Sequence, residues 1–573
     1  MKRARRLTLL LVVGSLTWGG VAAAAPAAAE ARRSDALVTV GSPRGHFPRN
    51  KQNEPAVGLA LNPMDRRLLV AGSNEEIDNA PCNGTDCSFT PGVTDNGVYF
   101  SLDGGRSWVE PTYTGWTARS GTPHVGAIGT VPWFYESGLV GDGDPAIAFG
   151  PRPGPHGFSW SNGARLYYGS LVSNFGTATK FPGFEAISVS RTDDVRAAAR
   201  GQKSAWRRPV IVSRDQTATT FSDKDALWAD NAASSRYFGN VYSCWTSFKD
   251  ANSLTTPAPI EVSRSVDGGT NWSHPAQVSP AVPTTATTGT SGCTVRTDSR
   301  GVVYIFWESA NLGTRRSQQV MARSFDGGRH FESPRVVANV VEVGKLDPVH
   351  VANGDPRLTI DGIAGARTDS DPSVDIANGA PTGRGATNEI VLGWADGRFG
   401  LNHEQALLRF SRTRGTTWSA PVNAAAPGDR PNFPAVAMAP NGRHAYLVYD
   451  AFLTPWRNTT HSTRLMQGVV REVGRNGEHA GVRTLHRGQV GDARGSSENN
   501  LCCEFLGDYN YAAADNHAVS AVWNDVRHAA VCPVMNDYRQ SFLAAKRLPT
   551  PAPARDCPRT FGNSDIYGGS FSP

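Results

Sequence analysis

The sequence is poor in charged residues and, after its first thirty positions, has no long apolar run. Charged residues make up 19% of the chain, and the net charge of +6 is spread along it with no basic run after the N-terminal region. Nucleic acid is therefore not expected as a partner. Because no later stretch approaches 18 consecutive apolar residues, the mature protein is expected to have no membrane-spanning helix.

The sequence also lacks the short motifs of several enzyme classes. It has no H-E-x-x-H, no G-x-S-x-G and no G-x-G-x-x-G that opens a helix, which argues against a zincin, an α/β-hydrolase and a dinucleotide-binding domain. C-x-x-C spacing is absent, and no His follows a Cys at a zinc-ligand distance. We therefore expect no metal ligands among the cysteines.

Turn-forming and aromatic residues, in contrast, are abundant. The chain contains 60 Gly, 38 Pro and 14 Trp, and long amphipathic helical patterns are nearly absent. This composition is typical of many short strands joined by turns, so it predicts an all-β protein.

Residues 1–29 have the layout of a secretory signal peptide. Basic residues precede an apolar stretch that ends at Val21, and the small-residue tract 22–29 offers A-x-A cleavage sites. A membrane anchor is the alternative, but Gly14 and Gly19 interrupt the run, which is short for a span. We expect a secreted, extracellular protein with no membrane attachment after cleavage, and a linker at residues 30–44.

The cysteine count is even, which favours disulfides in an exported protein. The eight residues are Cys82, Cys87, Cys244, Cys293, Cys502, Cys503, Cys532 and Cys557. We expect one small loop closed by the first two and a second bridge between the next two. Cys502 and Cys503 are expected to pair with Cys532 and Cys557, in an order that the sequence leaves open.

A turn motif of the form S-x-D-x-G-x-x-W recurs along the chain. Intact copies span 101–108, 265–272 and 324–331, and a fourth copy at 411–418 has lost its Asp. In a hairpin turn the Asp side chain accepts bonds from backbone N–H groups, the glycines supply positive φ, and the aromatic residue anchors the returning strand. The expected structural Asp residues are Asp103, Asp267 and Asp326.

Longer units of about 60 to 90 residues surround these turns. Each unit opens with a short strand near an acidic residue or proline and continues as an aromatic-rich strand, as in 54–61 with 68–72 and 371–376 with 390–394. Seven such units predict a β-propeller of four-stranded antiparallel blades over residues 45–548. Seven blades are favoured and six are the alternative. Residues 549–573 are expected to form an irregular Pro/Gly-rich tail.

The repeated turn resembles that of the Asp-box (bacterial neuraminidase repeat) proteins, of which secreted sialidases are the best-known members. The resemblance implies a propeller with six blades and a carbohydrate substrate. Sialidases hold the substrate carboxylate with three arginines and use an Asp acid/base and a Tyr nucleophile activated by a Glu. Arginine suits the first task because its planar fork binds a carboxylate bidentately.

Carried over to this sequence, the resemblance suggests candidates for each role. The carboxylate-binding arginines are Arg49, Arg398 and Arg527. The candidate nucleophiles are Tyr509, Tyr511 and Tyr538, with Glu504 or Glu498 nearby in the sequence. Arg49 lies in F-P-R-N, whose order differs from the family's early Arg-Ile-Pro motif.

Propeller topology predicts where a site lies. The starts of the first strands and the ends of the second strands share one face, opposite the Asp boxes. Acidic residues at the first-strand starts form an expected ring: Glu54, Asp144, Asp223 or Asp225, Asp371 and Asp508. Glu54 and Asp144 are the candidate acid and base, since paired carboxylates serve glycoside hydrolysis. Asp residues that cap turns are the alternative.

Two second strands end in W-x-D-x-R, at 394–398 and 523–527. Asp371, Asp396 and Asp525 are the expected substrate-binding carboxylates beside the arginines. The alternative for Asp396 and Asp525 is a local ion pair with the arginine two residues later.

These observations leave three functions open. The first is a secreted sialidase-like glycoside hydrolase, with an exo-α-sialidase as its specific form. The second is a non-catalytic propeller that binds glycans or proteins, and the third is a polysaccharide lyase. We expect a monomer that needs no cofactor, and the carboxylate ring is compatible with Ca²⁺ because hard oxygen ligands suit this ion.

Overall fold

The computed structural model describes residues 34–59, 65–250, 256–285, 288–474 and 482–573. The predicted signal peptide lies outside these residues. The described chain is all-β, as the composition predicts, with a few short helices. None of the helices in the described ranges has the length and apolar character required to cross a membrane.

Seven antiparallel sheets carry most of the strands, and we number them along the chain. Sheet 1 contains Gln52–Leu59, Leu69–Glu75 and Asn96–Ser101; sheet 2 contains Ala146–Gly154, Gly157–Asn174, Ala186–Thr192 and Trp206–Ile211, with Leu139–Gly141 added to its second strand; sheet 3 contains Phe221–Ala229, Val241–Phe248, Ile260–Ser265 and Ala276–Gln277; sheet 4 contains Thr288–Thr297, Val303–Asn311, Arg316–Ser324 and Arg335–Val341.

The remaining three sheets follow the same pattern. Sheet 5 contains Ser373–Ile376, Ile390–Asp396, Gln405–Ser411 and Val422–Asn423; sheet 6 contains Arg430–Met438, Ala445–Phe452, Leu465–Val473 and Arg483–Arg487, with Gly491–Asp492 added to its third strand; sheet 7 contains Tyr511–Ala514, Val519–Asp525, Asp565–Phe571 and Ala36–Leu37.

Smaller elements connect the sheets. Two-residue to five-residue strands pair as Tyr113–Thr117 with His124–Ile128, Thr256–Pro257 with Pro283–Thr284, and Leu358–Thr359 with both Lys345–Leu346 and Arg367–Thr368. The described helices are Val195–Ala199, Pro348–Asn353, Pro533–Ser541 and Pro553–Asp556, with 3-10 turns at Tyr135–Ser137, Lys203–Ala205 and Ala493–Gly495.

The first strands of the seven sheets contact one another in sequence order. Each touches the first strand of the next sheet, and the first strand of sheet 7 touches that of sheet 1. The hydrophobic core lies between neighbouring sheets. Tyr168 of sheet 2 packs with Val98 of sheet 1, and Val448 of sheet 6 packs with Trp523 of sheet 7.

The Asp-box turns and the starts of the first strands lie at opposite edges of the sheets. In sheet 1, Gln52 at the start of the first strand pairs with Glu75 at the end of the second. Ser101, which opens the turn, pairs instead with Leu69 at the far end. The face of the first-strand starts, called the mouth below, is therefore remote from the Asp boxes.

The hydrogen bonds within each Asp box fix the turn. Asp103 Oδ1 accepts bonds of 3.0 Å from the backbone N–H groups of Arg106 and Ser107, while Ser101 Oγ accepts one from Gly105. The turns around Asp267 and Asp326 repeat this pattern.

In the fourth copy, Thr413 takes the place of the missing Asp. Its Oγ1 accepts a bond from the backbone N–H of Thr417 at 2.8 Å, and Ser411 Oγ accepts one from Gly415. A hydroxyl thus supplies the acceptor that the sequence had lost.

The two ends of the described chain meet in sheet 7. The strand Asp565–Phe571 pairs with Val519–Asp525 on one side and with Ala36–Leu37 on the other. The expectation of an irregular tail is therefore wrong for these residues, and part of the expected N-terminal linker is a strand. Ladder pairing with a distant strand, rather than local composition, orders this Gly-rich segment.

The disulfides agree in part with the sequence-based pairing. Cys82–Cys87 and Cys244–Cys293 form as expected. The remaining pairing is wrong, because Cys502 bonds to its neighbour Cys503 and Cys532 bonds to Cys557. The last two lie beside the short helices Pro533–Ser541 and Pro553–Asp556, whose packing brings their Cα atoms to 5.1 Å, within the normal range for a bridge.

Candidate active site

The first strands share an unusual backbone feature at the mouth. Glu54, Asp144, Lys224, Gly292 and Phe433 all have φ between 45° and 53°. In four of these five sheets the ladder register shifts at this point. A bulge of this kind turns a side chain out of the regular alternation and often lies next to an active site.

Two further residues hold the corresponding place in the other sheets. Asp371 and Tyr509 stand two residues before the first strands of sheets 5 and 7, as Asp144 does in sheet 2. The expected ring of carboxylates is therefore a mixed ring. Lys224 rather than Asp223 or Asp225 occupies the bulge of sheet 3, and Tyr509 rather than Asp508 occupies the position in sheet 7.

A cavity extends inward from this mouth along the first strands. Its upper part is lined by polar groups that include Lys224, Asp369, Asp371, Asp508 and Tyr509. Its deeper part is lined largely by the small side chains of residues 146–148, 435–436 and 512–514. Arg296 and Asp375 line the end away from the mouth, so polar groups are present at both ends of the cavity.

Glu54 and Asp144 lie close together at the mouth, beside the cavity rather than in its lining. The Asn74 amide donates to Glu54 Oε2 and, at 3.3 Å, to Asp144 Oδ1. Asn74 Oδ1 in turn accepts the backbone N–H of Asp144 at 2.6 Å. Burial and then the nearby charges of Asp144 and Asp508 raise the pKa of Glu54 well above its usual value. Both effects favour the protonated form of Glu54.

Asp508 lies in the opposite electrostatic environment. Lys224 Nζ contacts Asp508 Oδ2 at 2.6 Å, and Arg367 Nε contacts Oδ1 at 2.8 Å. Burial alone would raise the pKa of Asp508, but Arg367 and Lys224 outweigh it and hold the pKa below its usual value. Asp508 is therefore ionised.

Arg367 links these two carboxyl groups. Its Nη2 atom lies 3.6 Å from Glu54 Oε1 and 3.2 Å from Asp508 Oδ2. The ring of Phe505 lies against the guanidinium at 4.3 Å and helps to fix it. An acid whose pKa is raised and a carboxylate whose pKa is lowered are thus held beside the same cation.

Tyr509 lies next to this pair, with its ring 5.6 Å from that of Tyr511 in an edge-to-face arrangement. Burial, followed by the charges of Asp144 and Glu54, raises the pKa of Tyr509 well above its usual value. Tyr509 is therefore a neutral phenol in the unliganded site.

Further acids surround Lys224. Burial raises the pKa of Asp223 and of Asp371 to about 6. Asp225 is 5% exposed, and both of its carboxyl oxygens lack a hydrogen-bond partner within the described structure. In the described ranges, no three mouth carboxylates bring oxygens within 4.8 Å of one another, and the Ca²⁺ site stays a prediction.

The two W-x-D-x-R segments form the same local structure at the mouth edge of sheets 5 and 7. Asp396 accepts the Trp394 indole N–H at 2.9 Å and pairs bidentately with Arg398 at 2.7 and 2.8 Å. Asp525 pairs with Arg527 in the same way, at 2.9 and 2.7 Å. This is the local ion pair that the alternative interpretation predicts.

The three candidate clamp arginines have separate partners. Arg49 donates to the backbone carbonyls of residues 77 and 119, and Arg527 also contacts Asp35 at 2.6 Å. Among the described residues, none of the three lines the cavity. The carboxylate clamp stays a prediction.

Two other candidates lie in packed regions. Glu504 is fully buried and bonds Arg464 at 3.0 Å. Tyr538 lies on the helix Pro533–Ser541 and packs against Phe542. Neither side chain belongs to the cavity lining in the described chain.

Sequence reasoning missed Asn74, Lys224 and Arg367. Asn74 precedes two glutamates and belongs to no recognised motif, and Lys224 lies between the two Asp residues that were predicted. Arg367 comes from a connection before sheet 5 and has no motif around it. Only the alignment of the first strands could have indicated Lys224.

Comparisons with known proteins give structural likeness only. No family model matches the chain, and no curated protein matches it. Among solved structures, a Hadza microbial sialidase is 14% identical over 70% of this chain, with a TM-score of 0.38, and this chain spans 63% of its length.

Two other similar structures are also glycoside hydrolases. The α-L-arabinofuranosidase of Fusarium graminearum is 12% identical over 63% of this chain and 96% of its own, with a TM-score of 0.32. A sialidase from Streptococcus pneumoniae is 8% identical over 72% of this chain and 67% of its own, with a TM-score of 0.39. The chain is thus similar in structure, at low identity, to sialidases and to an arabinofuranosidase.

Proposed function

We propose that the chain is a secreted glycoside hydrolase with seven propeller blades, acting at the mouth opposite the Asp boxes. The blade number rests on the seven sheets whose first strands contact one another in order and return to the first. The activity rests on one observation, the placement of Glu54, whose pKa is raised, and Asp508, whose pKa is lowered, beside the same Arg367.

Glycoside hydrolysis needs this difference between two carboxyl groups. One must be protonated to donate to the leaving oxygen, and the other must be ionised to attack the anomeric carbon or stabilise its positive charge. Glu54 is the proposed proton donor, with Asp144 and Asn74 holding it in place. Asp508 is the proposed nucleophile.

The contacts with Arg367 bear on the stereochemistry. The two oxygens lie 3.6 and 3.2 Å from the same nitrogen and so cannot be more than about 7 Å apart. This limit admits the spacing of about 5 to 5.5 Å in retaining enzymes and excludes most of the range of about 6.5 to 9.5 Å in inverting enzymes. We therefore propose retention of configuration through a glycosyl-enzyme ester with Asp508. Water, deprotonated by Glu54, then releases the sugar.

A neutral terminal sugar fits this mouth, because Lys224 and Arg367 are already paired with Asp508. The proximity of Tyr509 to Glu54 and Asp144 favours exo-α-sialidase activity as a second candidate, since a phenol nucleophile suits an anionic sugar. The two activities would use different nucleophiles, Asp508 for a neutral glycoside and Tyr509 for a sialoside, so variants of these residues can distinguish them.

The test is release of a fluorescent phenol from a panel of aryl glycosides that includes an α-L-arabinofuranoside and a sialoside. We expect turnover of a neutral glycoside, loss of turnover in Asp508→Ala, and partial recovery on addition of azide, which replaces the missing nucleophile. The released sugar's anomer, followed by NMR, should match that of the substrate.

The control is Asp103→Asn, which alters an acid at the opposite face and should leave the rate unchanged. Since Asp508→Ala leaves Lys224 and Arg367 without their carboxylate, its folding is checked by circular dichroism. Turnover of the sialoside alone, lost in Tyr509→Phe but not in Asp508→Ala, would establish the second candidate. No turnover by any folded form would contradict the proposal.

A further inference from the structure

Behind the mouth, four potential metal ligands converge in one buried place. His350, Glu498, Cys502 and Cys503 each offer one ligand atom, and these atoms all lie within 4.8 Å of one another. His350 comes from the helix Pro348–Asn353, whereas the other three come from the segment that follows Ala493–Gly495. Ligands that come from such distant parts of the chain form no short spacing motif, so the sequence did not predict this cluster.

The hydrogen bonding of His350 leaves one ring nitrogen available. The side chain is fully buried, and Nε2 faces the carbonyl oxygen of Gly365 at 3.4 Å. Because a carbonyl only accepts, Nε2 carries the proton and Nδ1 presents its lone pair. Nδ1 has no hydrogen-bond partner in the described structure. A ligating histidine is commonly oriented in this manner, with its other N–H donated to a backbone carbonyl.

The two sulfur atoms are already directed to the same side of the chain. Neighbouring residues usually project in different directions, but Cys502 and Cys503 are bonded to each other. Cys502 Sγ also lies 3.5 Å from Glu498 Oε2. In the disulfide state these sulfurs are poor ligands, because metal binding needs the thiolate.

We propose that reduction of the Cys502–Cys503 disulfide creates a tetrahedral Zn²⁺ site with Cys502, Cys503, His350 Nδ1 and Glu498. A dithiol supplies two electrons and two protons, leaves as its own disulfide and yields two thiols. Zn²⁺ then displaces both thiol protons and binds the two thiolates. The ligand set of two sulfurs, one nitrogen and one oxygen suits zinc.

The geometry requires little adjustment. Ligand atoms around tetrahedral zinc stand about 3 to 4 Å apart, as follows from bond lengths of about 2.0 to 2.3 Å. The four ligand atoms now lie within 4.8 Å of one another, which is close to that spacing. Breaking the S–S bond lets the two sulfur atoms separate. Small side-chain rotations therefore suffice to close the site.

The site is distinct from the proposed catalytic groups but connected to them. Glu498 is one of the acids whose charge acts on Arg367. Four residues separate Cys503 from Asp508, and Gly507 packs directly against Glu54. The redox and metal state of this cluster is thus placed to affect the mouth, although metal binding itself does not depend on the proposed hydrolase activity.

The test uses the secreted chain with Cys82, Cys87, Cys532 and Cys557 all replaced by Ser, which removes the two disulfides that contain a partly exposed cysteine. A phosphine reductant is added, free thiols are counted, and Co²⁺ binding is followed by absorption. We expect two new thiols and one Co²⁺ per chain, with sulfur-to-cobalt charge-transfer bands and the visible bands of a tetrahedral ion. Zn²⁺ should displace the bound Co²⁺, and the protein with its disulfide intact should bind neither metal.

Variants separate a built site from adventitious binding. His350→Ala should weaken Co²⁺ binding by more than the roughly 10- to 100-fold typical of losing an outer-shell partner, whereas exposed His274→Ala should not. Replacing both Cys502 and Cys503 by Ala should abolish the charge-transfer bands, whereas the same change at the buried pair Cys244 and Cys293 should not.

Unchanged binding in the Cys502 and Cys503 variant would overturn the proposal, and so would two titrated thiols without binding. If the phosphine does not reduce the Cys502–Cys503 disulfide in the native protein, the chain is instead refolded from the unfolded state in the presence of both the phosphine and Zn²⁺. Refolded protein that retains no Zn²⁺ would then overturn the proposal.

Discussion

Replacing Glu54 by Gln isolates the proton that this side chain is proposed to donate. The amide has nearly the same size and can keep the contact with Asn74, whereas it cannot transfer a proton. It also removes one of two mutually repelling carboxyl groups, since Asp144 lies beside it. Catalysis and stability are therefore expected to change in opposite directions.

The expected loss of rate follows from the role of a general acid. Such a group contributes about 10²- to 10⁴-fold, which corresponds to about 2.7 to 5.4 kcal/mol in the activation free energy. The loss should be largest for substrates with poor leaving groups and small for an activated nitrophenyl glycoside, which needs little protonation. The wild-type rate should decline as the pH rises through the raised pKa of Glu54, and this decline should disappear in the variant.

The stability effect has a definite sign. The pKa of Glu54 is raised in the folded protein above its ordinary value of 4.5. Its contribution to the free energy of unfolding is therefore complete below that value and is lost as the pH rises through the raised pKa. Gln does not titrate, so the variant should match or exceed the wild type in melting temperature at neutral pH.

The assay combines pH–rate profiles on two leaving groups with thermal unfolding at acid and neutral pH. Asp103→Asn serves as the control for a carboxyl group remote from the mouth. A Glu54→Gln variant that keeps the full rate on the poor leaving group, or keeps the decline with rising pH, would refute the assignment of Glu54 as the acid.

Two further predictions concern stability. Arg527→Ala should cost about 3 to 5 kcal/mol, because its side chain is 4% exposed and its loss leaves two carboxylates, Asp525 and Asp35, without this cation. Arg398→Ala should cost less, because the Arg398 side chain is 32% exposed and its loss affects only Asp396, which keeps the bond from the Trp394 indole. Urea unfolding of both variants checks this, and equal losses would contradict it. Asp103→Ala should lower the free energy of unfolding by about 0.5 to 2 kcal/mol, as for the loss of a helix cap, with no effect on turnover; a loss of turnover in folded protein would place the Asp boxes in the site.

The regular parts of the fold could be predicted from the sequence because local chemistry determines them. An Asp box closes through bonds within eight residues, so the motif around Asp103 predicts its own turn. A strand whose apolar residues alternate with polar ones can likewise be recognised from its own sequence. The strand Asp565–Phe571 could not be predicted in this way, because it is ordered by pairing with Ala36–Leu37 at the other end of the chain.

The site was predictable only in part, for a similar reason. Propeller topology correctly places Glu54 and Asp144 together, since both begin first strands of neighbouring sheets. The same argument predicts Asp223 and Asp225 in sheet 3, but the backbone there turns Lys224 into the position that corresponds to Glu54 and Asp144. A positive φ at a non-glycine residue costs about 1 to 3 kcal/mol and has no sequence signature of its own.

The placement of Lys224 explains why the mouth contains two kinds of acid. With an acidic residue at that bulge, Asp508 would have one cation instead of two, and its ionised form would lose the contact of 2.6 Å. Glu54, which lacks a lysine partner and contacts Arg367 only at 3.6 Å, holds its proton more strongly instead. One lysine in the mixed ring therefore contributes to the difference in proton affinity that acid and nucleophile require. Lys224→Met should accordingly raise the pKa of Asp508 and shift the acid limb of the pH–rate profile upward, and an unchanged acid limb would remove Asp508 from the nucleophile's role.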